Sequence, residues 1–212
     1  MLDGRVVEKA KEILGSLTGE VKLIAFTQEI ECMFCRENTE LVKDVASISD
    51  RISFELYNFI LDKEPCDKYG IDKVPAIVVT SGNEDSGIRF FGVPSGYEFV
   101  SLLEAIKLVS TGNHGLSEDI VSKIQSIKKS VHIQVFVTPT CPYCPKVVIL
   151  AHKLAYLSKN IRSDMVEAIE FPHLANRYNV SGVPKSIINE TIYIEGAFPE
   201  RSYVDRIIEL LK

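Results

Sequence analysis

The segment VTPTCPYCPK, residues 137–146, sets two cysteines two residues apart, between an alternating apolar run and a helical pattern. A second segment, FTQEIECMFCRE at residues 26–37, has the same Cys-x-x-Cys spacing. Pairs of this kind bind zinc, close small disulfides or act as reactive dithiols. Because the motif occurs twice, we expect the chain to repeat more than its cysteines.

The repeat includes a second motif. Cys141 follows Cys32 by 109 positions, and Pro184, in a Val-Pro pair, follows Pro75 in another such pair by the same distance. Beyond the prolines the offset falls to 104, because the first copy carries a longer turn segment, TSGNEDSG. The sequence therefore predicts two units of similar construction.

Both units show one order of predicted elements: helix, strand, cysteine pair, long helix, strand, short helix, Val-Pro turn, two strands and helix. We expect an α/β fold of two tandem units, each a central mixed sheet flanked by helices, at residues 1–110 and 117–212 with a linker at 111–116. Ser117 is the expected N-cap of the second unit's first helix. The predicted strands and helices around the cysteine motifs span residues 21–27, 33–48, 51–57, 131–138, 142–159 and 164–170.

The composition argues against nucleic-acid and membrane partners. The 212 residues include 24 Lys and Arg against 29 Asp and Glu, a formal charge of -5, which gives no basic footprint. No apolar run approaches the roughly 20 residues that span a bilayer, and the first ten residues are charged where a secretory signal would be apolar. We expect a cytoplasmic protein, in which cysteines are catalytic or metal-binding rather than a secreted disulfide framework.

A cysteine between a strand and a helix is placed for nucleophilic chemistry. The unpaired amide groups and the positive dipole at the helix N-terminus favour its thiolate over its thiol. A second cysteine one helical turn later can close a disulfide and release a mixed disulfide formed with a substrate. Attack and resolution are thus both available within one turn.

The repeated Val-Pro pairs add a substrate-binding element. An X-Pro bond adopts the cis form at low cost, and a cis proline leaves the preceding residue extended, with its amide and carbonyl exposed. We predict that Pro75 and Pro184 are cis and lie close to the dithiols. Val74 and Val183 would then bind a substrate strand through backbone hydrogen bonds.

Zinc and a purely structural disulfide are the alternative chemistries. Structural zinc takes four ligands, but 105 residues separate Cys35 from Cys141 and no nearby His or Cys completes either pair, so we expect no metal. A disulfide across two intervening residues closes so small a loop that it stabilises the fold little. A structural disulfide stays an alternative for the first pair.

The order of elements, with Cys-x-x-Cys and Val-Pro at these positions, resembles the thioredoxin fold, and CPYC resembles the glutaredoxin active site. Two such units in one chain resemble the protein disulfide oxidoreductases of thermophilic archaea and bacteria. The resemblance implies units packed side by side that reduce, oxidise or isomerise disulfides in protein substrates. It also implies an NADPH-dependent thioredoxin reductase as electron donor, a peroxiredoxin as a further partner and no bound cofactor.

The resemblance also assigns roles to residues. By motif position, Cys32 and Cys141 match the attacking cysteines, and Cys35 and Cys144 match the resolving ones. Thioredoxins carry an acidic residue in the strand before the dithiol, whereas VKLIAFT and VHIQVFVT have none. Glutaredoxins have a Gly-Gly pair beyond the proline, which is missing here, so glutathione is not expected as the main substrate. The substrate-binding candidates lie in or beside the motifs and are Val74, Pro75, Val183, Pro184 and Tyr143.

Two other functions fit the same motifs. One is an electron relay, like the paired thioredoxin-fold domain of the flavoprotein component of bacterial alkyl hydroperoxide reductase. That domain has a working dithiol only in its second unit, whereas both units here have one, and this chain has no Gly-rich flavin or dinucleotide fingerprint. The other is a peptide-binding chaperone module that uses the groove without disulfide exchange.

The two motifs differ in local charge. Residues 27–40 hold four glutamates against one arginine, a net charge of -3, whereas residues 136–149 hold a single lysine, a net charge of +1. Negative charge disfavours a thiolate, and Pro142 at the expected first helical position organises the second turn. We therefore expect Cys141 to have a lower pKa than Cys32, and the second pair to be more oxidising and to carry most of the turnover.

Overall fold

The computed structural model describes residues 3–211, so residues 1, 2 and 212, at the ends of the two predicted units, lie outside the described part of the chain. The elements of the first half are α1 (Gly4–Leu14), β1 (Val21–Thr27), α2 (Cys35–Ala46), β2 (Ile52–Asn58), α3 (Lys63–Tyr69), β3 (Ala76–Ser81), β4 (Glu84–Phe91), a 3₁₀ turn (Gly96–Glu98) and α4 (Phe99–Thr111). Those of the second half are α5 (Glu118–Gln125), β5 (Val131–Val137), α6 (Cys144–Leu157), β6 (Ile161–Glu167), α7 (Pro172–Arg177), β7 (Lys185–Ile188), β8 (Ile192–Glu195) and α8 (Glu200–Leu210).

One eight-stranded sheet runs through both halves, in the order β2-β1-β3-β4-β6-β5-β7-β8. Within each half the strand before the cysteine pair is parallel to one neighbour and antiparallel to the other, as in β1 with β2 and β3. The halves join where β4 pairs in parallel with β6. The predicted α/β fold of two thioredoxin-like units is confirmed, but their predicted separate sheets are joined into one mixed sheet.

The strand β6 starts at Ile161, three residues before the predicted range of 164–170. Ser163 and Asp164 are fully buried within it, at the junction of the halves. These polar residues interrupt the apolar alternation by which a strand is recognised, which explains the displaced prediction.

One predicted helix start is confirmed and another needs correction. Ser117 occupies the N-cap position of α5, but its side chain makes no capping hydrogen bond. The helix α6 begins at Cys144, so Pro142 lies in the preceding turn and Pro145 occupies the first helical turn instead. The dithiol turn thus precedes the helix, because the first cysteine and the two residues after it are not helical.

The predicted linker, residues 111–116, lies between the end of α4 and the start of α5. The helix α4 ends at Thr111 and is followed by Gly112 in the left-handed conformation, which suits glycine because it has no Cβ. The division at residues 111–116 stays a prediction. No helix within residues 3–211 has the length and apolarity to cross a bilayer.

A buried network of charges joins the halves. Asp164 accepts hydrogen bonds from Arg162, at 2.8 Å, and is bonded to His132 at 2.6 Å. Arg162 also donates to the carbonyl oxygen of Gly70 at 2.9 Å, and Arg89 donates to that of Tyr69 at 3.0 Å. Both arginines thereby satisfy carbonyls at the C-terminus of α3, the helix that leads to Pro75.

Candidate active site

The second dithiol lies in the turn between β5 and α6. Cys141 and Cys144 form a disulfide, with their Cα atoms 5.5 Å apart. The backbone amide nitrogen of Cys144 lies 3.1 Å from the Sγ atom of Cys141. When the pair is reduced, this amide at the start of the helix can donate a hydrogen bond to a Cys141 thiolate and stabilise it.

A carbonyl oxygen stands next to the same sulfur. The Sγ atom of Cys141 lies 3.8 Å from the carbonyl oxygen of Val183, and the peptide bond between Val183 and Pro184 is cis. The predicted cis form of Pro184 is confirmed, and the carbonyl of the residue before it lies beside the dithiol; a contact of Pro184 itself with the dithiol stays a prediction. The fold thus brings together residues that are 42 positions apart in the sequence.

The first dithiol has a related geometry with different hydrogen bonds. Cys32 and Cys35 form a disulfide, with Cα atoms 5.4 Å apart, and the amide of Gln28 donates to the Sγ atom of Cys35 at 3.4 Å. Within residues 3–211, no contact from the Cys35 amide to the Cys32 sulfur matches the one seen at the second site. The residue before Cys32, Glu31, adopts a left-handed backbone conformation with φ of 58°, so the approach to the first dithiol also differs.

The second proline, Pro75, is also cis, as predicted. Its carbonyl oxygen accepts a hydrogen bond from the amide of Gly92 at 3.0 Å, and that of Pro184 accepts one from Gly196 at 2.9 Å. The closeness of Val74 and Pro75 to the first dithiol stays a prediction, as do the substrate-binding roles of all the candidates.

Each cysteine turn exposes one bulky side chain and buries its second cysteine, and Cys141 is itself only 7% exposed. Cys144 is fully buried and Cys35 nearly so. Met33 is 87% exposed in the first turn, and Tyr143 is 68% exposed in the second. The exposure of Tyr143 agrees with its predicted role in substrate binding, which stays a prediction, and the second cysteine of each pair is less accessible than the first.

A buried acid that the sequence analysis missed lies beside the turn of Cys141. Glu98 is 1% exposed; one carboxylate oxygen accepts from Ser101 at 2.6 Å, and the other has no partner among the described residues. The preceding residue, Tyr97, donates its amide to the carbonyl of Pro139 at 3.0 Å. Burial raises the pKa of Glu98 to about 7. Glu98 comes from the first half of the chain. The strand that directly precedes the dithiol, VHIQVFVT, contains no acidic residue, so its sequence could not indicate this acid.

Glu98→Gln should make stability less dependent on pH. The pKa of Glu98 in the folded protein, about 7, exceeds the ordinary value of 4.5, so ionisation destabilises the wild-type fold as the pH rises from 4.5 to 7. Glutamine cannot ionise, and we expect the variant to be more stable than wild type at pH 8 by on the order of 3 kcal/mol, with no gain at pH 4. Urea unfolding at both pH values measures the difference. An equal effect at pH 4 and pH 8 would contradict the raised pKa.

Comparisons with known proteins agree with this geometry. The family model of the thioredoxin domain matches residues 131–209. Among solved structures, the protein disulfide oxidoreductase from Aeropyrum pernix superposes with a TM-score of 0.91 at 28% identity, over 99% of this chain and 94% of that one. The chain is a tandem thioredoxin-fold protein. The resemblance to protein disulfide oxidoreductases, which rested on two Cys-x-x-Cys motifs and two prolines, is confirmed.

The same thioredoxin-like pair occurs in a second group of proteins. The NTD_N/C domain of the alkyl hydroperoxide reductase AhpF from Enterococcus faecalis superposes with a TM-score of 0.91 at 25% identity, over 97% of this chain and 99% of that one. An alkyl hydroperoxide reductase protein of Staphylococcus aureus is 26% identical over 189 residues, which cover 89% of this chain. The aligned region is 34% of the Staphylococcus protein, so this chain spans about a third of the length of such relatives.

Proposed function

We propose that this protein is a disulfide oxidoreductase that acts on protein substrates through both dithiols. One observation carries the proposal: the sulfur of Cys141 lies between the amide of Cys144, at 3.1 Å, and the carbonyl of Val183, at 3.8 Å. A nucleophile next to an extended backbone edge can meet a substrate disulfide while that edge holds the substrate strand. The likeness to the Aeropyrum protein disulfide oxidoreductase supports the assignment.

Reduction of a substrate follows two exchange steps. The Cys141 thiolate attacks one sulfur of the substrate disulfide, the substrate S–S bond breaks, and the other substrate sulfur leaves as a thiolate. The Cys144 thiolate then attacks the Cys141 sulfur and releases the first substrate sulfur, also as a thiolate. Two electrons have passed to the substrate, and Cys141 and Cys144 are joined by a disulfide. Oxidation of a substrate dithiol is the reverse, and the same steps apply to Cys32 and Cys35.

The electron balance of the proposed reaction requires a partner that supplies electrons. Each turnover in the reducing direction leaves an enzyme disulfide, so a reductant must supply two electrons. We propose an NADPH-dependent thioredoxin reductase for this role, a peroxiredoxin as one disulfide-bearing acceptor, and the cytoplasm as the location. The two catalytic units are assigned to residues 1–110 and 117–212.

Insulin reduction tests the proposed function. With dithiothreitol as reductant, the wild-type protein should accelerate precipitation of the insulin B chain. A variant with all four motif cysteines replaced by serine should not. If that variant instead kept a denatured protein in solution as well as wild type does, and neither form reduced insulin, a peptide-binding chaperone would replace the oxidoreductase.

A second candidate function is an electron relay from a flavoprotein reductase to a peroxidase. The likeness to the Enterococcus AhpF domain, at a TM-score of 0.91, favours it. A purified reductase, this protein and a peroxiredoxin can be combined and NADPH consumption followed with peroxide or with insulin as final acceptor. A relay should turn over at least about tenfold faster with peroxide, whereas the proposed oxidoreductase should prefer insulin.

The two attacking cysteines should differ in reactivity. In a chain with only the second dithiol, we expect iodoacetamide to modify Cys141 about tenfold faster at pH 6 than it modifies Cys32 in a chain with only the first. The amide of Cys144 faces the sulfur of Cys141, whereas Glu31 precedes Cys32. Mass spectrometry of the alkylated peptides across pH 5–9 gives both profiles. Faster modification of Cys32 at pH 6 would remove the basis for assigning the main site to the second unit.

A further inference from the structure

The two units present the same loop beside their prolines. Gly92 and Gly196 both have a φ of 90°, in the region that favours glycine. Each donates its amide to the carbonyl of the cis proline of its own unit, Pro75 or Pro184. The residue after each glycine is Val93 in the first unit and Ala197 in the second. In the proposed function, the substrate strand would bind along this backbone segment, which we call the groove wall.

The second unit covers this wall in the first unit. Glu170, between β6 and α7, accepts a hydrogen bond from the amide of Val93 at 2.7 Å. A Cβ atom added at Gly92 would lie 2.6 Å from the Cβ of Glu167 and 3.1 Å from the Cδ of Glu170. Gly92, Val93 and Pro94 are all buried. The backbone donor of Val93 is thus occupied by a carboxyl group from the other half of the chain.

The corresponding wall of the second unit is open. A Cβ atom at Gly196 would meet no atom within 4 Å, and Ala197, which corresponds to Val93, is exposed. Within the described part of the chain, the amide of Ala197 has no hydrogen-bond partner. By the repeat offset of 109, Leu61 of the first unit corresponds to Glu170 of the second. Leu61 is 78% exposed and does not cover the groove of the second unit.

We propose that Glu170 is a specificity-determining residue that makes the first dithiol a poorer site for extended protein segments than the second. The inference rests on the proposed function, because it concerns which disulfides each dithiol accepts. A substrate strand beside a cis proline needs backbone donors along the groove, and at Val93 that donor is already bonded to a carboxyl oxygen. Protein disulfides then react mainly at the second dithiol, whereas small disulfides, which need no backbone donor for a substrate strand, reach both dithiols equally.

The test compares a protein disulfide with a small one at the first dithiol alone. In the full chain carrying Cys141→Ser and Cys144→Ser, kcat/KM is measured for insulin and for 2-hydroxyethyl disulfide. Adding Glu170→Ala should raise the insulin-to-small-disulfide ratio about tenfold, because the Val93 amide becomes free. Glu170→Gln keeps an acceptor oxygen on the side chain and should leave the ratio at the parental value.

A matched control uses the second dithiol. With Cys32→Ser and Cys35→Ser, the same Glu170→Ala change should leave the ratio unaltered, since no groove there is covered. Turnover of the small disulfide reports whether each variant is folded. An unchanged ratio in Glu170→Ala, or a parental first dithiol that prefers insulin as strongly as the second does, would overturn the inference. Failure of both parents to reduce either substrate would overturn the proposed function itself and the inference with it.

Discussion

A chain carrying both Cys32→Ser and Cys141→Ser should lose insulin-reducing activity by roughly 1000-fold or more. The thiolate is the nucleophile of disulfide exchange, and a serine hydroxyl neither ionises near neutral pH nor forms the mixed disulfide. Cys35 and Cys144 are poor replacements for the missing nucleophiles, because they are only 2% and 0% exposed, less than the 7% of Cys141. Initial rates of insulin reduction, with dithiothreitol in excess, measure the loss.

The matched control is the fifth cysteine. Cys66 is a free, buried thiol whose pKa is raised by burial, so Cys66→Ser should retain activity within about twofold. The two single variants then show how much each dithiol contributes to insulin reduction. We expect Cys141→Ser to lose most of the activity and Cys32→Ser a smaller part. Full activity in the double variant would refute the assignment of both nucleophiles.

Asp164→Asn should be strongly destabilising, by roughly 3–5 kcal/mol in the free energy of unfolding. The carboxylate is fully buried and bonded to both Arg162 and His132, at 2.8 and 2.6 Å. Asparagine has no charge and one acceptor oxygen, so the half-buried guanidinium of Arg162 and imidazole of His132 lose the buried charge that compensates them. Urea unfolding at pH 7 measures the change.

The pH dependence of the free energy of unfolding gives a second test of Asp164. The pKa of Asp164 lies well below its ordinary value of 3.8, because His132 and Arg162 favour the carboxylate more than burial disfavours it. A lowered pKa contributes stability above the ordinary value, and this contribution disappears as the pH falls below it. The difference between wild type and variant should therefore shrink below pH 4.

An exposed ion pair provides the control for Asp164. Asp205 is bonded to Lys123 at 2.9 Å on the surface, where solvent and salt screen the attraction. Asp205→Asn should leave the free energy of unfolding unchanged. A loss for Asp164→Asn no larger than that for Asp205→Asn would show that the junction network does not stabilise the fold.

The sequence was sufficient for the parts of this protein that depend on local chemistry. Cysteines two residues apart follow each strand, and a proline lies 43 positions after the first cysteine. Only cysteine supplies the thiolate and only proline adopts a cis bond at low cost, so these residues indicate the fold. The repeat offset of 109 then assigned the same order of elements to both units. The cis form of Pro75 and Pro184 followed from the same reasoning.

Only the tertiary structure decided how the halves act on each other. Residue spacing within a unit carries no record of contacts across the junction, where β4 pairs with β6 and the buried Asp164 bonds to Arg162 and His132. The amide of Tyr97 reaches the carbonyl of Pro139, before Cys141, from the first half, and Glu170 reaches Val93 from the second. Two units that look equivalent along the chain therefore surround their dithiols differently, because packing one against the other covers only one of the two grooves.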